Sequence, residues 1–143
     1  MSNTLYDQDF HAWALQQATL LREGKLQQAD VENIAEEIES MGRGERRELV
    51  NRLAALLTHL LKWRFQPALR GNSWRLTIKE QRRATFRHLR DNPSLQSWLD
   101  EAMADAYGDA AIRAARETGL EVFPEICPFT FDQAIGDDFW PDD

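Results

Sequence analysis

The 143-residue chain has a single cysteine, Cys127, so no disulfide can close within it. It has no uninterrupted apolar run near the roughly 18 residues that a membrane span needs, so no membrane association is expected. There is no His-x-x-x-His and no Cys pair among its three histidines and one cysteine, and no metal or other cofactor is expected. A Gly-rich phosphate loop, a nucleophile elbow and a dinucleotide fingerprint are all missing, and the isolated glycines read as helix stops. Without β-alternation, internal repeats or low-complexity tracts, the chain is predicted to be all-α. The opening "MSNTLYDQDFHAW" shows no basic stretch followed by an apolar one. With the lone cysteine, this predicts a cytoplasmic protein without a secretory signal.

What is abundant is charge, and it is unevenly placed. The net charge of -7 argues against non-specific nucleic-acid binding by the whole molecule. Yet Arg43 to Arg90 carries 13 Lys/Arg against 3 acids, a balance of +10, and the rest of the chain carries 4 bases against 21 acids, a balance of -17. Such blocks either face each other within one chain or meet an external partner. The sequence leaves that choice open, along with the oligomeric state.

Helix periodicity and punctuation predict one domain over residues 1–143, a bundle of five main helices. Asp7 or Asp9 caps the first, with Phe10, Trp13, Gln17, Leu20 and Leu21 on one face and Gly24 as its stop. Asp30 caps the second, whose apolar stripe is Val31, Ile34, Ile38 and Met41, ending at Gly42. The third runs from about Glu45 to Phe65 with a dense leucine row, and Pro67 ends it. After "QPALRGNSW", Asn72 or Ser73 caps a fourth to about Leu89; Pro93 opens the fifth, which Gly119 terminates. "TFDQ" is a capping box for a short C-terminal helix, and the aromatic tail "GDDFWPDD" is expected to be ordered against the chain's own surface.

Among the candidate sites, the cluster Glu36/Glu37/Glu39 comes first. At about 100° per residue, Glu36 points away from the second helix's apolar stripe, whereas Glu37 and Glu39 flank it, so the three do not converge. Glu37 is expected to pair with an arginine of the basic block, because Arg64 falls within the leucine row and needs a partner. His59 is the histidine best placed for function, with stacking on Trp63 as the competing role. In "RGNSWRLTIKEQRR", the face holding Trp74, Ile78, Gln81, Arg82, Thr85 and Leu89 is polar for a core stripe. One reading makes Arg70, Arg75, Arg82 and Arg83, with Trp63 and Trp74, a phosphate-and-stacking platform. The other makes Gln81 and Arg82 interior hydrogen-bonders to the acidic half.

The segments "YDQDFHAWALQQATLLREGK", "AEEIESMGRGERREL", "LLTHLLKWRFQPALRGNSWRLTIKEQR", "NPSLQSWL" and "ARETGL…FPEICPF" resemble, in order and over nearly the whole chain, the bacterial family known as domain of unknown function 29. The resemblance implies an all-helical fold and supplies no reaction, ligand or catalytic residue. The family's characteristic positions matched here include Trp13, Glu36, Glu37, Ser40, His59, Lys62, Trp63, Pro67, Ser73 and Trp74.

Two functional expectations follow. The leading one is a non-enzymatic helical interaction module, its acidic and basic faces partly satisfying each other and its remaining surface taking a protein partner or a second copy. The other is a hydrolase or nucleic-acid-processing factor that uses Glu37 and His59, with Arg75 or Arg82 binding anions. Nucleic-acid binding alone is disfavoured by the net charge and would weaken steeply with salt.

Overall fold

The computed structural model describes residues 4–142. They form six α-helices and no strand among the described residues: α1 (Leu5–Gln8), α2 (Phe10–Arg22), α3 (Val31–Phe65), α4 (Asn72–Asp91), α5 (Leu99–Thr118) and α6 (Phe131–Ile135). Short 3-10 turns at Pro67–Leu69 and Pro93–Trp98 precede α4 and α5. The helices divide into two compact units, residues 1–44 and 45–143.

The first unit starts with two caps. Thr4 accepts from the backbone of Asp7, and the Asp9 carboxylate accepts from Ala12 N at 3.0 Å, which starts α2 where the sequence places it. Gly24, at φ 72°, turns the chain out of α2 in the left-handed region that glycine enters at little cost. The Asp30 carboxylate then takes the Asn33 amide at 2.8 Å and the Trp13 indole N–H at 3.1 Å, while Asp30 N donates to Gln17 at 2.7 Å. Among the described residues of this unit only Trp13 and Gln17 are buried, so a polar network around Asp30 and the aromatic group Tyr6, Phe10 and Trp13 hold it together.

The second unit has an apolar core. Leu49, Leu53, Leu56, Leu57, Leu60 and Leu61 of α3 are fully buried. Against them α5 places Ala102, Ala106, Ala110 and Ala114, spaced four apart and also fully buried. Both rows belong to one apolar core, in which each buried leucine contributes about 1.5–3 kcal/mol. Ile78 and Leu89 of α4, Leu95, Phe129 and Ala134 close the core. Gly119 terminates α5 at φ 73°, its N–H on Ala115 O, and Thr130 and Gln133 form the expected capping box of α6.

Three expectations are corrected, the first being that Pro93 opens the fifth helix: Pro93 opens a 3-10 turn, and α5 starts at Leu99. The predicted second and third helices are one 35-residue helix, and Gly42 and Gly44 lie inside it. Neither glycine has positive φ, so no left-handed stop forms. A glycine inside a helix costs about 1 kcal/mol, which the buried leucines downstream outweigh. Gly71, rather than Asn72 or Ser73, occupies the cap position of α4, with no side-chain cap bond.

Candidate functional site

Three of the four residues of the stripe predicted on the second helix stand in solvent, Val31 58% exposed, Ile38 58% and Met41 64%, while Ile34 is half-buried. Ala35 and Gly42, also exposed, share this face, and a Cβ added at Gly42 meets nothing within 4 Å. The result is an apolar strip with a smooth edge that permits close approach by another backbone. Acids surround it. Glu37 borders one side by helical projection, and Glu32 and Glu39 lie beyond the other.

Glu36 is exposed and pairs with Arg43 at 2.9 Å. Glu37 accepts the Tyr6 phenol, and that hydrogen bond is the main reason the Tyr6 hydroxyl holds its proton up to about 12. This corrects the expected Glu37–arginine pair: α1 delivers Tyr6 to Glu37, and Arg64 instead lies 5.3 Å from the Phe65 ring. His59 belongs to the second unit. Its Nδ1 sits 2.9 Å from Ala55 O, where a carbonyl requires it to carry the proton, leaving Nε2 as the lone-pair nitrogen. Burial lowers its pKa, with Lys62 pushing the same way and Glu117 opposing. Glu37 and His59 thus lie in different units, each with its own partners. Among the described residues no group of three or more His, Cys, Asp and Glu side chains is placed to share a metal ion.

Most members of the proposed arginine–tryptophan platform are taken up in internal contacts. Trp74 has Lys62 Nζ 5.2 Å from its ring, and the same ammonium pairs with Glu117 at 2.7 Å. That pair holds the Glu117 carboxyl below its ordinary range. Trp63 meets Trp140 at 4.7 Å, and Arg70 stacks over Trp63 while donating to Trp63 O and to the carbonyls of Pro141 and Asp142. Arg75 is bound to Asn72, and Ser73 is exposed in the first turn of α4. Gln81 is half-buried, its Oε1 without a partner.

Arg82, 1% exposed, donates through Nε to Ala134 O at 2.8 Å and through one terminal nitrogen to Phe139 O at 2.6 Å, beneath the Trp140 ring. The interior-hydrogen-bonding role therefore applies to Arg82, and its acceptors are backbone carbonyls rather than carboxylates. With Arg70 it fastens the C-terminal segment, so the tail docks on its own chain as expected. Its remaining terminal nitrogen has no acceptor. Beside it opens a cleft of about 590 Å³ lined by Lys79, Arg82, Arg83, Phe86, Ile135, Asp137 and Asp138. Sequence reasoning missed this cleft. Lys79, Arg83 and Phe86 lie one face away from the α4 core stripe, and only tertiary folding sets Ile135–Asp138 opposite them.

Among the described residues no helix is long and apolar enough to cross a membrane. A family model described as "Domain of unknown function DUF29" matches residues 5–140. No curated protein and no solved structure matches the chain.

Proposed function

The chain belongs to the DUF29 family, and within that family we propose that this protein is a helical interaction module that receives a basic amphipathic helix of a protein partner. The observation that carries the reading is the solvent-facing strip Val31, Ala35, Ile38, Met41 and Gly42 on α3. Large side chains at helical spacing left in water are the mark of a surface that another protein covers. Charge selects the occupant. Residues 1–44 carry eight acids against three bases, so two such strips would repel, whereas a helix bearing Lys or Arg beside its apolar row is attracted. No catalytic group is required. The reading places the module in a bacterial cytoplasm, supported by the single cysteine and the family likeness.

The test is a photo-crosslinking residue at Ile38 in cells that make the protein, with one at exposed Glu101 as the control. Ile38 is expected to give a discrete protein adduct that fades with added salt and with Gly42→Trp, which fills the smooth edge. Adducts no stronger than at Glu101, or confined to the same chain, would overturn the reading. An adduct with a second copy would replace the basic partner by self-association.

A further inference from the structure

The cleft between α4 and the segment after α6 has an unusual balance of charge. Lys79, Arg82 and Arg83 contribute three cations from α4, and Asp137 and Asp138 contribute two carboxylates from the opposite wall. Among the described residues none of these five makes an ion pair. Oppositely charged groups facing each other across a cleft without closing on one another leave each wall free to bind. Phe86, 63% exposed, and Ile135 line the same cleft as apolar surface.

Arg82 makes this more than a charged surface. Its guanidinium is desolvated, fixed by two backbone carbonyls and the Trp140 ring, and one of its nitrogens remains without an acceptor. An unpartnered buried cationic donor is costly, and in a native fold it calls for an acceptor. Gln81 and Thr85, the other unpartnered polar groups of α4, do not line the cleft, whereas Arg82 does. Burial lowers the Arg82 pKa, and the charge of the Asp137 carboxylate opposes that shift.

We propose that this cleft is a binding site for a small zwitterionic ligand with an apolar body, of the amino-acid or short-peptide class. The ligand's carboxylate takes Arg83 and Lys79, with the buried Arg82 charge behind them. Its ammonium faces Asp137 and Asp138, and its apolar side chain lies over Phe86 and Ile135. A cleft of about 590 Å³ falls within the range that small-molecule sites occupy. A plain anion fits less well, because two carboxylates face it across the cleft. The site lies within the second unit and is independent of the strip on α3.

The test is titration of the full chain with phenylalanine, followed by NMR of the Ile135 methyl groups, with inorganic phosphate as an anion-only probe at matched ionic strength. Phenylalanine is expected to give a saturable shift at Ile135. Arg83→Gln and Asp137→Asn are each expected to weaken it about tenfold, the loss of one charge-assisted contact. Both variants leave the backbone clamps of Arg82 in place, and unchanged thermal unfolding confirms that they are folded. The decisive arm is Asp137→Asn: it weakens binding of a zwitterion and strengthens binding of a simple anion. No saturable shift with phenylalanine, or phosphate binding that improves in Asp137→Asn while phenylalanine binding is unchanged, would overturn the proposal.

Discussion

The two units are built on different physics. Residues 45–143 bury six leucines of α3 against an alanine ridge, whereas residues 4–44 bury one tryptophan and one glutamine and leave Val31, Ile38 and Met41 in solvent. Residues 45–143 are held by area removed from water, residues 4–44 by directional bonds around Asp30 and by three aromatic rings. Hydrogen bonds net about 1 kcal/mol each and a buried leucine about twice that, so the first unit is the one expected to open first. A surface left in solvent is also one that cannot contribute to its own unit's core.

The largest effect that breaks this comparison comes from the leucine row. Leu57→Ala is expected to cost about 3–4 kcal/mol in chemical denaturation, through a cavity under α5. A loss below about 1 kcal/mol would mean that the second unit is not the stable partner of the pair. Next comes Arg82→Met, expected to cost about 2–3 kcal/mol because the Ala134 and Phe139 carbonyls lose their donors. Hydrogen exchange should show the loss concentrated in residues 129–142, and uniform exchange across the unit would count against the clamp.

Gly42→Ala sharpens the boundary. The site is open, its φ is not positive and it lies inside α3, so the change should raise the unfolding midpoint, by about 1 kcal/mol of helix propensity. A fall would mean that the chain needs glycine there as a stop. The smallest expected effect is on pH. Burial lowers the folded-state pKa of His59 below its ordinary 6.5. The unfolded chain therefore takes up its proton first, and stability is present above pH 6.5 and lost as pH falls toward the folded value. His59→Leu should flatten that limb of the stability–pH curve, and an unchanged limb would remove His59 as its source.

Local signals carried much of this fold. Asp9, Gly24, Gly119 and the Thr130/Gln133 box act where they stand because a cap satisfies backbone groups within one turn, which a short window of sequence contains. Gly42 misled for the same reason. A glycine stops a helix only when left-handed geometry is adopted, and here the leucine core beyond it made continuation the lower free energy.

The candidate residues divide along the same line. Helical projection alone showed that Glu36, Glu37 and Glu39 diverge. That Glu37 would bind Tyr6, that Trp63 would meet Trp140, and that Arg82 would hold two carbonyls more than fifty residues away depended on which segments the fold brought together. Sequence by itself determined the helices, most of their ends and the division of charge, because these depend on spacing and local hydrogen bonding. The tertiary structure alone decided that α3 is continuous, that most of its first apolar stripe faces water, and that Asp137 and Asp138 stand across a cleft from the cations of α4. Those outcomes follow from competition among distant burial sites, which no local pattern encodes.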